Sequence, residues 1–139
     1  LEVNVLALTV ACREALGCFD GERGGHIVNV SSMAGHRIPP RGGFYAATKF
    51  AVRAITECLR QELRALGSPS RVSEISPGFV TTEFHEVFYR GDAEQVAAGR
   101  PDYRVLDPRD VAASVIHILE APDHVAIHDV LIRSNEQES

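Results

Sequence analysis

Apolar residues recur every three to four positions at the start of the chain, through Val5, Leu8, Ala11, Cys12, Ala15, Leu16 and Phe19, and this spacing predicts an amphipathic helix over 1–19. The period then changes. His26-Ile27-Val28-Asn29-Val30 is a short run rich in β-branched residues that leads into Ser31-Ser32, and it reads as a strand. Helical spacing returns over 44–66, where Val52, Ile55, Leu59, Leu63 and Leu66 share a face opposite alternating charges; Gly67-Ser68-Pro69 ends that helix. Residues 71–76 predict a second strand. Asp107 followed by Pro108 opens another helix, with Asp110 at its positive end and Val111, Val115, Ile118 and Leu119 on its apolar side, and Pro122 stops it. Val130 and Ile132 alternate with polar neighbours in a last strand within 125–133. Strands separated by helices imply parallel pairing, so the fold class is α/β with a parallel sheet. Glu74 is the position at odds with this scheme, since a central parallel strand buries both faces; it predicts either a sheet edge or an Arg partner.

Candidate chemistry concentrates where the first strand ends. Ser32 precedes Tyr45 by thirteen residues, and Lys49 follows Tyr45 by four. Residues four apart on a helix share a face, which brings the Lys49 ammonium close to the Tyr45 phenol. A free phenol titrates at about 10, and an adjacent cation favours its ionised form, so the spacing predicts a lowered value for Tyr45 and acid/base work near neutrality. Ser32 would hold the same substrate oxygen by a hydrogen bond. The connection between them, with Gly35 and Pro39-Pro40-Arg41-Gly42-Gly43, is a loop at a strand's carboxyl end, where open α/β sheets bind ligands. Tyr and Lys at this spacing are by themselves common on helices that cover a core, and the surrounding strand and loop are what give the pair meaning.

Composition narrows the field. With 139 residues, 45% hydrophobic and 24% charged, the chain looks globular, and its formal charge of −5, with Arg13, Arg53, Arg60 and Arg64 among acids, offers no basic field to nucleic acid. No run of about 18 apolar residues predicts a membrane span. Cys12, Cys18 and Cys58 lack metal-ligand spacing and read as reduced thiols, which fits a cytoplasmic location, and no metal site is expected. Among the six His residues, His36, on the loop after Ser32, is the one expected to meet substrate. Between Thr82 and Asp107, Phe84, Phe88, Tyr89 and Tyr103 stand among polar residues and suit a lid over an apolar carbonyl or alcohol.

In register, Asn4, Ser32, Tyr45, Lys49 and Ser76-Pro77-Gly78-Phe79-Val80-Thr81-Thr82 make the sequence similar to the short-chain dehydrogenase/reductase family, in its single-domain branch. That resemblance implies a doubly wound Rossmann-like domain, with Ser32, Tyr45 and Lys49 as the catalytic Ser, Tyr and Lys and Asn4 relaying protons to Lys49 through a water. It further implies that Pro77, Gly78, Val80 and Thr82 hold the cofactor together with Asn4, Tyr45 and Lys49, Thr82 fitting the spacing better than Thr81. Ser32 and Tyr45 would contact substrate. The implied cofactor is NADP or NAD, and the implied assembly is a homodimer or homotetramer. A narrower likeness, carried by residues 3–8, 32–37, 59–64 and the strand ending Ile132-Arg133, implies an NADPH-linked reductase of 3- or 17-ketosteroids.

The Gly-rich turn that receives a dinucleotide's pyrophosphate is not among these residues; Gly21, Gly24 and Gly25 read as a loop. Residues 1–139 are therefore expected to be the carboxyl-terminal, catalytic and substrate-binding half of one such domain, with roughly 100 residues before them if the domain has the usual size of about 250. The residue that chooses NAD or NADP would lie in that earlier part. The alternative is a short product without a dinucleotide site, a non-catalytic or dimerising subunit.

Overall fold

A computed structural model describes residues 1–40 and 43–138; Arg41 and Gly42 of the expected turn lie outside the described residues. Three parallel strands, β1 (His26–Val30), β2 (Arg71–Pro77) and β3 (Asp129–Ile132), stand in the order β1-β2-β3. Helices fill the connections: α1 (Leu8–Gly17) precedes β1, α2 (Gly43–Ala65) lies between β1 and β2, and α3 (Phe84–Phe88), α4 (Ala93–Gly99) and α5 (Pro108–Leu119) lie between β2 and β3. The α/β expectation holds in element order and pairing.

The register explains how the faces are used. Ile27 stands beside Val72 and Asn29 beside Glu74, so these four side chains share one face. That face carries the first two helices. Asn29 Nδ2 donates to Thr56 Oγ1 at 2.9 Å on α2, and the Cys12 thiol of α1 donates to Asn29 Oδ1 at 3.5 Å. The opposite face, with Arg71, Ser73 and Ile75, takes the segment after α5: Arg71 Nη1 donates to the Ala121 carbonyl at 2.9 Å and Ser73 Oγ to the Ile127 carbonyl. Val52 of α2, Ile75 of β2 and Ile118 of α5 are wholly buried.

Local chemistry sets several boundaries. Asp107 accepts from the Arg109 amide at 2.9 Å while Asp110 Oδ2 accepts from the Asp107 amide at 2.8 Å, a reciprocal cap that starts α5 at Pro108. Gly67, at φ +65°, ends α2 in the left-handed conformation. The first helix departs from expectation. Residues Glu2–Ala7 form a π-helical opening, because the Leu1 carbonyl accepts from both Val5 N and Leu6 N, and regular α-helix begins only at Leu8. The segment expected as a lid folds into the short helices α3 and α4. No helix among the described residues is long and apolar enough to cross a membrane.

Glu74 lies in the middle strand, 3% exposed, and Arg53 of α2 meets it with Nε at 3.5 Å from Oε1. Of the two outcomes its sequence position allows, the Arg partner is the one realised. Ser76 Oγ also donates to Glu74 Oε1 at 3.1 Å.

Candidate active site

The carboxyl ends of β1 and β2 deliver two turns to the same edge of the sheet. After β1, Ser31 is buried and Ser32 is extended, at φ −168° and ψ 159°; the Ser32 hydroxyl accepts from the Ala34 amide at 3.1 Å and caps a 3-10 turn over Met33–Gly35. Gly35 allows that turn to press on α2, where an added Cβ would lie 2.9 Å from the Lys49 carbonyl and from Ser31 Oγ. After β2, Gly78 donates to the Ile132 carbonyl at 2.8 Å, and Val80 forms a parallel bridge with Leu106.

α2 supplies Tyr45 and Lys49 one turn apart. Lys49 Nζ donates to the Val30 carbonyl at 3.0 Å and lies 5.8 Å from the centre of the Tyr45 ring. Asn4, on the π-helical opening, donates from Nδ2 to Thr48 Oγ1 at 3.0 Å, and Thr48 in turn donates to the Tyr45 carbonyl at 2.7 Å. Asn4 is thus braced against the very turn of α2 that carries the Tyr and the Lys.

These groups line one open cleft of about 720 Å³, together with Pro77, Gly78, Val80 and Thr82. All eight sequence-derived positions, Asn4, Ser32, Tyr45, Lys49, Pro77, Gly78, Val80 and Thr82, face the same space. Thr82 Oγ1 also accepts from the Phe84 amide at 3.2 Å at the start of α3. Over the cleft, the Tyr45 ring packs against Phe84 and Phe88, with centroids 5.3 Å and 5.7 Å away.

The electrostatics differ from the simple expectation for Tyr45. Burial pushes the phenol above its ordinary value, and the Ser32 hydroxyl beside it pulls it only part of the way back. Lys49 does not dominate, because its own charge is disfavoured by burial, with Glu74 acting in the opposite sense, and because its ammonium is turned toward the Val30 carbonyl. A phenol covered by two Phe rings loses more hydration than a cation so placed returns.

Among the histidines the structure makes a correction. His36 turns away from the cleft: its Nε2 lies 2.9 Å from Ser76 Oγ and 3.6 Å from Asp129 Oδ2. Polar partners on β2 and β3 capture the ring before it can face substrate. His85 lines the cleft instead, stacked on Phe79 at 5.5 Å, and no sequence signal marked it. His36, Glu74 and Asp129 bring ligand atoms within 4.8 Å of one another, but Arg53 is shared between the two carboxylates, at 3.5 Å from Glu74 and 3.6 Å from Asp129, and already supplies the positive charge. Gln137 also went unmarked; it is buried in the cleft wall, where its Oε1 accepts from the Phe79 amide at 3.0 Å.

Residues 1–92 match the short chain dehydrogenase family. The chain is 47% identical to dehydrogenase/reductase SDR family member 11 of Bos taurus, covering 97% of this chain and 54% of that protein. It is 34% identical to farnesol dehydrogenase of Aedes aegypti, covering 96% and 52% respectively. The chain spans about half the length of the curated relatives it matches. Among solved structures, the closed form of serine dehydrogenase complexed with NADP+ superposes with a TM-score of 0.90 at 32% identity, over 98% of this chain and 54% of that one. From its sequence, its parallel Rossmann-like sheet and these relatives, the chain belongs to the short-chain dehydrogenase family.

Proposed function

We propose that this chain is the catalytic half of a nicotinamide-dependent oxidoreductase that interconverts a carbonyl and an alcohol, and that it works chiefly as a reductase. The observation that carries the reading is the convergence of Asn4, Ser32, Tyr45, Lys49 and the Pro77–Val80 turn on one cleft. Bound nicotinamide would supply a hydride to the carbonyl carbon or accept one from the alcohol. The fit is favourable on the side this chain provides, since the Pro77–Gly78 turn, Val80, Lys49 and Tyr45 line the same cleft.

The chain's own groups then divide the work. The Ser32 hydroxyl accepts from the Ala34 amide and lies beside the Tyr45 phenol, and it would turn its proton to a substrate oxygen held between them. Tyr45 gives that oxygen its proton as negative charge develops there. A phenol is protonated at neutral pH, the form that reduction needs, and burial raises its pKa further from that range. Lys49 holds positive charge beside the ring, and Asn4 steadies the helix turn that carries both. Phe84, Phe88, Val87 and Tyr89 give the cleft an apolar roof, which supports an apolar carbonyl substrate, and a 3- or 17-ketosteroid fits that class.

NADP is the cofactor we favour over NAD, a preference supported by the NADP+ bound to serine dehydrogenase. A homodimer or homotetramer is the assembly we expect, with contact along α1 and α2, whose exposed Val10, Phe44 and Phe50 would be covered. Free Cys12, Cys18 and Cys58 support a cytoplasmic setting. The decisive experiment uses the full protein carrying this sequence. Tyr45→Phe keeps the ring under Phe84 and Phe88 but removes the acid, so turnover should fall by about 10²- to 10⁴-fold while NADPH affinity stays within about twofold. Loss of turnover and cofactor binding together would overturn the role given to Tyr45.

A further inference from the structure

The cleft over Tyr45 is not the whole of the space at this edge. A second cleft, of about 1060 Å³, shares Met33, Phe79, Tyr89 and Gln137 with it as a common wall and is rimmed on its far side by Arg37, Glu94 and Asp102. One end of the combined space is apolar and holds the proton donor. The other is polar.

Gln137 stands at the junction and is only 5% exposed. After β3 the chain turns back over the Pro77–Gly78 turn, fastened by Ser134 Oγ donating to the Arg104 carbonyl and by Gln137 N donating to the Ser134 carbonyl at 3.1 Å. Gly78 makes room for it, since a Cβ there would collide with Gln137 Oε1. The Phe79 backbone N–H can only donate, so Oε1 must be the atom that faces it, at 3.0 Å. That fixes the amide and leaves Nε2 pointing the other way, where among the described residues its partner is Met33 Sδ at 3.4 Å. A thioether is a weak acceptor, so a buried NH₂ with two protons to give has no oxygen to take either.

We propose that Gln137 Nε2 donates a hydrogen bond to a second oxygen of the substrate, remote from the reacting carbonyl, and so selects apolar carbonyl compounds that are oxygenated at both ends. The proposal rests on the redox reading above and names a specificity determinant within it. The physical basis is asymmetric. A substrate with an acceptor at that position satisfies the amide, whereas one without it leaves the amide only the Met33 thioether and loses the worth of one hydrogen bond.

The test compares a ketosteroid bearing a hydroxyl at the end distant from its ketone with the same compound lacking that hydroxyl, in the full protein with NADPH. The unsubstituted protein should show a KM about five- to tenfold lower for the hydroxylated compound at similar kcat, the span of one good hydrogen bond. Gln137→Glu keeps an acceptor for the Phe79 N–H and removes the donor; Gln137→Met keeps the length and removes both. Either variant should bring the KM ratio to about one while the deoxy compound is still reduced. A ratio near one in the unsubstituted protein, a ratio that survives both substitutions, or a loss confined to the Glu variant would each overturn the role of Gln137. Failure to reduce either compound would instead overturn the redox reading, and this proposal with it.

Discussion

Glu74 is a buried carboxyl whose ionisation this fold opposes, and replacing it with Gln separates the opposing effects. Burial at 3% exposure raises its pKa; the Ser76 hydroxyl lowers it, Asp129 raises it, and Arg53 lowers it. The Arg53 side chain is 38% exposed and its Nε is 3.5 Å away, so solvent screens the pair and its attraction is worth no more than about 1 kcal/mol. Taking a carboxylate out of water costs several kcal/mol, on the order of 3 or more in real proteins. Desolvation therefore wins. Gln keeps the shape and an oxygen to accept from Ser76 Oγ, now at 3.1 Å, while Arg53 retains Asp129 at 3.6 Å and the Gly35 carbonyl at 3.2 Å. Glu74→Gln should stabilise the protein by about 1–2 kcal/mol at pH 8.

The pH dependence follows from the direction of the shift. A carboxyl whose pKa is higher folded than unfolded contributes stability that is complete below the unfolded value, at about pH 4, and that is lost as pH rises through the folded value. The Gln variant has nothing to lose over that interval, so its advantage should be smallest near pH 4 and reach its plateau at alkaline pH. Urea unfolding of the full protein, followed by far-UV circular dichroism at pH 4, 6 and 8, reads this as a growing gap between midpoints at constant slope. A loss of about 3–5 kcal/mol at pH 8, the signature of a buried pair deprived of one partner, would refute the reasoning. So would an advantage that does not change with pH.

Other expectations are more local. Gly35→Ala places a Cβ against the Lys49 carbonyl and Ser31 Oγ, and urea unfolding should report a loss of about 1–3 kcal/mol, with kcat falling more than KM changes. Asp107→Ala removes one half of the reciprocal cap on α5 and should cost about 1 kcal/mol in the same assay. Because burial raises the Tyr45 pKa, ketone reduction should be nearly flat between about pH 6 and 8, while alcohol oxidation, which needs the phenolate, should keep climbing through the alkaline range without a plateau in initial-rate profiles. Phe88→Ala opens the roof over Tyr45 and should raise KM for apolar ketones with a smaller effect on kcat.

Where a residue's role depends on near neighbours in the chain, the sequence was a sufficient guide. The stripe Val52, Ile55, Leu59, Leu63 belongs to a helix that closes at Gly67, and Asp107-Pro108 starts α5, because capping and periodicity act within a turn or two. Tyr45 and Lys49 share a face for the same reason. What the chain did not disclose was decided by distant partners. His36 is taken by Ser76 and Asp129, from strands forty and more residues on, and Gln137 reaches Phe79 across fifty-eight positions. The lid's aromatic residues carry no period that separates α3 from α4, and the wide opening turn at Glu2–Ala7 has no compositional mark.

The Tyr45 acidity shows why spacing alone could not settle the chemistry. An i,i+4 cation is a local fact and was legible; the hydration that the phenol loses beneath Phe84 and Phe88 is a tertiary one and acts in the opposite direction. The braces around the pair give this consequence for function. Asn4 to Thr48, Thr48 to the Tyr45 carbonyl and Lys49 to the Val30 carbonyl hold the helix turn to the end of β1, so the phenol's position is set by this half of the domain while its protonation is set by what covers it. Uncovering Tyr45 should then lower its pKa without moving it. In Phe84→Ala the alkaline rise of alcohol oxidation should shift toward neutral pH while the reduction rate at pH 6 changes little, and an unshifted profile would mean that burial is not what raises the Tyr45 pKa.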